Sequence, residues 1–332
     1  MAAAPNTKQV IIDNLVTTTW YDVRKTLIDQ VFAITPVYDK FVAGGRIKER
    51  APDGTHWEIP IQYAKQDQNR TWFGEGATFG KATKEDKTNL LYNIRYCGTN
   101  VVRTWVNDNK NRGKAKILDY VDTIVQNTKD SLIDGFETDM LVQNSDPLAM
   151  TALPTLLPTD KTSGSVGGLA RTDNEFLQHN TADFTGKTTG TSLIPAMTKM
   201  VNDCSQWKSG SRRSPDIILT TQSIYQDYEA ICENLRTIQT NATGRASLGF
   251  GDLMFKNIEI FWAPQCPAGC MYFLNTENLE FSYDPAAWFM MTEWKTPADS
   301  LDRMAQIVCA CNLTCNNFRK QGLIYNITAT NT

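Results

Sequence analysis

Histidine is scarce in this sequence, and the short motifs of common enzyme chemistry are missing. Only His56 and His179 occur among the 332 residues, the first in a strand-like run and the second in a polar stretch, and neither is placed as a general acid or base. No G-x-S-x-G, G-x-x-x-x-G-K-S/T or H-E-x-x-H pattern is present. We therefore expect no catalytic residues and no cofactor, and the sequence does not predict an enzyme.

The sequence also lacks an excess of charge of either sign. It carries 33 basic and 36 acidic residues, a net charge of −3, and its densest basic clusters, over 110–116 and at 212–213, are short. A tight or sequence-specific nucleic-acid binder usually shows a basic patch or stripe on one face. The charge pattern therefore predicts solvated surfaces rather than DNA recognition.

Long apolar runs are absent as well. No run of about 18 apolar residues occurs, so the sequence predicts no membrane-spanning helix. The first residues, Met-Ala-Ala-Ala-Pro, lack the charged and then apolar layout of a signal peptide. We expect the protein to be made in the cytoplasm and to have no membrane partner.

The eight cysteines contain no C-x-x-C pair. Cys309, Cys311 and Cys315 share one side of a period-two pattern with apolar residues at 305, 307 and 313. In such a strand, cysteine acts as a small buried apolar residue. The pattern therefore predicts a buried strand and no metal site.

Hydrophobic periodicity divides the chain into elements. Apolar residues at steps of three and four from position 10 predict a helix that Pro36 ends, and Gly44 and Gly45 mark a turn. An apolar stripe predicts a continuous helix over 111–143, about 50 Å long. After a loop-rich connector over 144–190, the chain predicts an α/β unit over 191–285. Strand patterns over 286–330 predict a sheet packed on the long helix.

Two alternating runs, around 57–63 and 90–97, flank a polar stretch that contains three glycines. They predict two strands joined by a long tip, which together form a projecting hairpin. At the tip, Trp72 and Phe73 lie between Arg70 and Glu75. These aromatic residues either pack within the tip or contact a neighbouring molecule. The second interpretation makes Arg70, Trp72, Phe73 and Glu75 candidate contact residues.

The order of these elements resembles the major capsid protein of tailed bacteriophages, which has the Hong-Kong-97-type fold. The stretch over 253–275 consists of a strand, a proline–glycine turn and a strand that ends in Leu274 and Asn275. It is similar to a recurring pattern of phage coat subunits, and so is the segment over 288–313 with Trp288, Trp294 and Pro297. The resemblance covers nearly the whole chain.

The resemblance implies an α+β fold and a self-assembling subunit. Hexamers and pentamers of the chain would tile an icosahedral shell, the capsid of the virion, around double-stranded DNA without sequence-specific binding. The partners would be neighbouring copies, a portal, and either a separate scaffolding or decoration protein or neither. The hairpin and the N-terminal arm would reach across subunit boundaries, which adds Trp20 and Arg24 as contact candidates. The implied regions are the arm (1–45), the extended β-hairpin loop (46–105), the peripheral domain with a spine helix (106–190), the axial domain (191–285) and the C-terminal strands of the peripheral domain (286–332).

Two other interpretations stay open. One is a different virion protein, such as a tail tube or decoration protein. A continuous helix over 111–143 would argue against a tail tube, because tail tubes are mostly sheet. The other is a cytosolic enzyme with an unfamiliar site, for which a stable monomer with a deep polar pocket would be expected.

Overall fold

The structure is a computed structural model that describes residues 35–51, 54–65, 67, 69–76, 78–110, 120–206, 215–235 and 253–329. The predicted helix before Pro36 and the 111–119 part of the predicted long helix lie outside these ranges. The described helices are α1 (Pro36–Ala43), α2 (Trp105–Lys110), α3 (Tyr120–Leu141), α4 (Leu153–Leu156), α5 (Thr189–Ser205) and α6 (Gln222–Leu235). The described strands are β1 (Ile47–Glu49), β2 (His56–Gln62), β3 (Lys87–Asn93), β4 (Arg95–Arg103), β5 (Ser165–Val166), β6 (Leu169–Ala170), β7 (Asn180–Asp183), β8 (Ile217–Thr220), β9 (Met254–Phe255), β10 (Ile258–Trp262), β11 (Met271–Leu274), β12 (Leu279–Tyr283), β13 (Met290–Met291), β14 (Arg303–Cys315) and β15 (Gly322–Tyr325).

The longest strand, β14, is the centre of a five-stranded sheet among the described residues. β4 pairs antiparallel with its first part, β12 and β13 pair with it on the other edge, and β1 adds parallel to β12. The buried-strand prediction is confirmed, because Cys309, Cys311 and Cys315 are all buried. Alternate residues of β14 supply small apolar side chains to one face, and helix α3 packs against that face.

Helix α3 covers the inner face of this sheet. The Phe136 ring lies 5.9 Å from the Phe281 ring and 6.0 Å from the Trp288 ring, measured between centroids. Leu132, Phe136 and Met140 are buried, as the apolar stripe predicts. The 22 described residues correspond to a helix about 33 Å long.

The second sheet has the order β7-β15-β11-β8-β10-β9 among the described strands, and it is buried on both faces. Ile218 and Phe273 face helices α5 and α6, whereas Leu219 and Tyr272 face the core that α3 shares. Strands β10 and β11 lie at the predicted residues.

The hairpin prediction is also confirmed. β2 and β3 pair only with each other among the described strands, with Gln62 opposite Lys87 at the start of the tip. Only Ile94 separates β3 from β4, yet β4 leaves the hairpin and pairs with β14. The hairpin strands form their own two-stranded sheet, and their inward side chains Trp57, Leu90 and Tyr92 are buried against the body.

Pro36 begins helix α1, because proline is tolerated in the first turn, where its missing N–H needs no partner. The helix predicted to end at Pro36 lies outside the described residues. One prediction is wrong. The last strand, β15, does not join the sheet under the long helix but lies between β7 and β11. Gly322 permits this position, since a Cβ there would lie 2.5 Å from the sulfur of Met200 on α5.

Every helix in the described ranges is too short or too polar to cross a lipid bilayer.

Candidate inter-subunit contact surfaces

The tip of the β2–β3 hairpin exposes aromatic side chains. Trp72 is 94% exposed, and Phe73 and Phe79 are more than half exposed. The rings of Phe73 and Phe79 meet edge to face with their centroids 4.9 Å apart. Arg70 and Glu75 are exposed in the same loop. We call Trp72, Phe73 and Phe79 the tip aromatic cluster; such an exposed apolar patch favours burial against a partner.

A side-chain bridge gives the tip a defined shape. Asn69 donates from Nδ2 to the carbonyl oxygen of Ala82, and the N–H of Ala82 donates to Oδ1 of Asn69 at 3.1 Å. Gly80 leaves room for this bridge, because a Cβ there would lie 2.7 Å from the same Oδ1. A loop that is already shaped loses less conformational entropy when it binds.

An aromatic stack adds to the contacts that hold the base of the hairpin on the body, among them the hydrogen bond from the Tyr92 hydroxyl to the carbonyl oxygen of Cys315. The rings of Tyr63 and Phe176 are stacked with centroids 4.9 Å apart. A cavity of about 680 Å³ adjoins this stack and is lined in part by Lys65, Asp67 and Asn316. Charged and amide side chains in an open groove hold water easily, so the cavity does not make a closed reaction chamber.

A second uncovered apolar surface lies on the five-stranded sheet, on the side away from α3. Directly paired residues point to the same face of a sheet, and Val102 pairs with Met304, while Met290 pairs with Val308. Tyr96 shares this face and is 68% exposed; Val102 and Met290 are about half exposed. We call Tyr96, Val102, Met290, Met304 and Val308 the open sheet face.

Gly98 makes a shallow trough in the open sheet face. Gly98 is exposed and pairs with Val308. Because glycine has no side chain, the backbone of β4 is exposed at this position, next to Tyr96. The trough exposes the side of Val308, whose Cγ2 lies 3.7 Å from the position that a Cβ of Gly98 would take. A ring from another molecule can approach the sheet closely here.

The two surfaces lie toward opposite ends of one extended run of chain. β3 and β4 follow each other from Lys87 to Arg103. At roughly 3.3 Å per residue this run spans up to about 55 Å. The tip aromatic cluster precedes Lys87, whereas Val102 is near the far end. The tip aromatic cluster and the open sheet face are therefore two separate exposed surfaces along this run.

The buried titratable groups of the described residues pack in the core. Burial and the neighbouring Arg171 lower the pKa of His179 to about 3, so this imidazole is neutral near pH 7. Arg171 is fully buried and donates to the carbonyl oxygen of Leu156 at 2.6 Å. Burial raises the pKa of Cys309 to about 11, which keeps it a thiol. Within the described ranges, no three potential metal-ligating side chains come together.

The structure places four of the six sequence-predicted contact residues together. Arg70, Trp72, Phe73 and Glu75 are exposed at the tip, whereas Trp20 and Arg24 lie outside the described residues. Sequence reasoning missed the open sheet face. The alternation of 90–96 assigns Tyr96 to the buried side, but Tyr96 is exposed because the chain changes sheets at Ile94.

Two sheets around a long helix, with a two-stranded hairpin, define an α+β fold. No known protein family matches the sequence, and no curated protein matches it. Solved structures do match, and they confirm the Hong-Kong-97-type fold of tailed-phage capsid proteins.

The capsid asymmetric unit of cyanophage A-1(L) is 15% identical, with a TM-score of 0.67 over 93% of this chain and 97% of that chain. The capsid of a native GTA particle is 10% identical, with a TM-score of 0.62 over 93% and 96% of the two chains. The holo-SrpI encapsulin complex from Synechococcus elongatus PCC 7942 is 7% identical, with a TM-score of 0.55 over 92% and 94%. At these identities the similarity establishes the fold, and the function follows from other observations.

Proposed function

We propose that this chain is the major capsid protein of a tailed bacteriophage. Copies form hexamers and pentamers of an icosahedral shell that encloses double-stranded DNA in the virion. The protein is a structural subunit rather than an enzyme, and it is made in the cytoplasm of the host bacterium. Its partners are neighbouring copies, a portal and, where the phage encodes one, a scaffolding or decoration protein. The division into arm, hairpin loop, peripheral and axial domains belongs to the same proposal.

One observation carries the proposal: the described residues include two separate exposed apolar surfaces, the tip aromatic cluster and the open sheet face. The tip aromatic cluster projects beyond one end of the β3–β4 run, and the open sheet face extends toward the other. When one copy's tip packs on the next copy's sheet face, the contact is head to tail, and such contacts close into rings or continue into a lattice. Many weak contacts of this kind add up to a stable shell.

The charge pattern supports enclosure without recognition. A net charge of −3 gives the subunit no general attraction to DNA. The absence of base-specific chemistry from the sequence motifs supports the same interpretation.

The experiment removes the hairpin tip and retains the strands. Deletion of residues 66–86 leaves Tyr63, Ala64 and Lys65 as a short connection between Gln62 and Lys87, which already face each other across the hairpin. Three-residue hairpin connections are common, so we expect the variant to fold with the circular dichroism of the intact chain. We expect it to form no shells when analysed by sedimentation velocity and negative-stain microscopy. Normal shells from this variant would refute the role of the hairpin.

A second candidate is a shell of the encapsulin type, which the similarity to the SrpI complex favours. The two proposals differ in what the particle holds. Nuclease-resistant double-stranded DNA inside particles from the native source supports the phage capsid. Particles from that source that contain protein only support the second candidate. A tail tube is disfavoured by helix α3, which occupies Tyr120–Leu141 without a break.

A further inference from the structure

Three cysteines lie close together on the inner face of the five-stranded sheet. Cys97 belongs to β4, whereas Cys309 and Cys311 belong to β14, and all three are free thiols. Alternate residues of a strand point to one face, so Cys309 and Cys311 share the face that α3 covers. Cys97 points to the same face, because directly paired residues do so.

Cys97 and Cys309 are directly opposite each other in the β4–β14 ladder. The N–H of Asp284 donates to the carbonyl oxygen of Ala310, so the backbone polar groups of Ala310 point to β12 and those of Cys309 point to β4. Cys97 and Cys309 therefore form a hydrogen-bonded pair, and the Cα atoms of such a pair lie roughly 5.5 Å apart. A disulfide spans Cα distances of about 4.4–6.8 Å, and its formation here draws the two Cβ atoms together by about 1 Å.

Strand geometry disfavours the other two pairings of these cysteines. Cys311 is a diagonal neighbour of Cys97, and the Cα atoms of diagonal neighbours are about 7–8 Å apart, which a disulfide does not bridge without backbone movement. Cys309 and Cys311 are two positions apart on one strand, so their parallel Cβ atoms are roughly 6.6 Å apart. The Cβ atoms of a disulfide are only about 3.5–4.5 Å apart. The pair of Cys97 and Cys309 is therefore the one that can close.

Cys97 gives this pair a route to small molecules in the solvent. It is partly exposed, whereas Cys309 is buried. Burial raises the pKa of Cys309 to about 11, and the nearby Cys97 raises it further. Burial and the charge of Asp139 also raise the pKa of Cys97. Because the thiolate is the reactive form, the pair reacts slowly near pH 7 and does not suit rapid redox signalling.

We propose that Cys97 and Cys309 are an oxidation site whose disulfide joins β4 covalently to β14. Hydrogen peroxide oxidises the Cys97 thiol to a sulfenic acid and releases one water, and the Cys309 thiol then displaces a second water as the S–S bond forms. Two S–H bonds are lost, and the two protons and two electrons reduce the peroxide to water. The closed loop of about 210 residues restricts the unfolded chain, so the disulfide stabilises the folded form.

The use of this disulfide in a virion rests on the proposed shell function, whereas its chemistry does not. The cytoplasm keeps thiols reduced, and disulfides persist on virion surfaces and in other oxidising surroundings. A shell that assembles with reduced thiols would therefore gain the disulfide after release from the host. The test uses the unassembled full-length chain, so failure of the shell proposal leaves its result unchanged.

The test treats the reduced chain with hydrogen peroxide near pH 7 for hours, blocks the remaining thiols and maps the peptides by mass spectrometry. We expect a peptide pair linked through Cys97 and Cys309, which dithiothreitol separates. The melting temperature of the oxidised chain should rise by at least about 3 °C.

Three single variants assign the link. Cys97→Ser and Cys309→Ala, each folded by circular dichroism, should give no linked pair and no rise in melting temperature on oxidation. Cys232→Ala is the matched control, because Cys232 is a partly exposed cysteine on α6 that faces neither partner strand. It should behave as the natural chain does.

Any of three results overturns the proposal. The first is a natural chain whose Cys97 and Cys309 both stay thiols, or whose Cys97 becomes a sulfinic acid without a link. The second is a link from Cys97 to Cys311 or to another cysteine in place of Cys309. The third is a linked chain that melts no higher than the reduced chain, which would contradict the stabilising role of the bond.

Discussion

Replacing Trp72 by alanine separates folding from assembly. The Trp72 side chain is 94% exposed, so it contributes almost nothing to the stability of the isolated chain. We expect the free energy of unfolding of Trp72→Ala to lie within about 0.5 kcal/mol of the natural value, as is usual for exposed positions. Urea unfolding of the unassembled chain measures this quantity.

The same change should weaken assembly strongly. A tryptophan ring buries roughly 150–250 Å² when it is covered, which corresponds to about 5 kcal/mol of gross transfer free energy. Binding costs remove much of this, and a central aromatic contact typically contributes about 2 kcal/mol or more. Since each 1.4 kcal/mol is a factor of ten, one contact weakens by at least about 30-fold. The protein concentration at which particles form should rise by a similar factor.

The assay is light scattering and sedimentation velocity over a dilution series. Leu148→Ala is the matched control, because Leu148 is 71% exposed but belongs to neither surface. It should assemble as the natural chain does. Assembly of Trp72→Ala at the natural concentration would show that the tip aromatic cluster contacts no neighbouring copy.

Two further predictions concern the fold that carries these surfaces. Phe136→Ala should lower the free energy of unfolding by about 3–5 kcal/mol in urea, because the buried ring packs between Phe281 and Trp288 and its loss leaves a cavity; a loss below about 1 kcal/mol would contradict this packing. Gly322→Ala should cost about 1–3 kcal/mol through overpacking against Met200, whereas Gly190→Ala, where a new Cβ meets nothing within 4 Å, should be neutral or better. Equal melting temperatures for the two glycine variants would contradict the close approach of α5 to β15.

Elements with a strong hydrophobic period could be predicted from the sequence. The apolar stripe of α3 and the alternation of β14 each mark one face that packs against a single neighbouring layer. The spacing of apolar residues is therefore sufficient to predict which residues are buried. The hairpin could be predicted for the same reason, since its strands are joined by one loop. The exposure of Trp72 and Phe73 followed from their polar surroundings.

Long-range pairing could not be predicted in this way. β15 has an apolar pattern that fits either sheet, and its place is decided by the contact of Gly322 with α5. Tyr96 continues the alternation of β3, but the change of partner at Ile94 turns it outward. The sequence spacing does not distinguish Glu137 from the other acidic residues of α3. Its carboxylate oxygens accept hydrogen bonds from the backbone N–H groups of Val37 and Tyr38 in α1, about 100 residues earlier in the chain.

Electron microscopy of the purified full-length chain over a range of concentrations tests the shell function most directly. We expect rings and closed shells to appear above a threshold concentration, with the tip of one copy's hairpin resting on the open sheet face of the next. A chain that stays monomeric at every concentration, with its own hairpin folded back over its body, would contradict the proposed function.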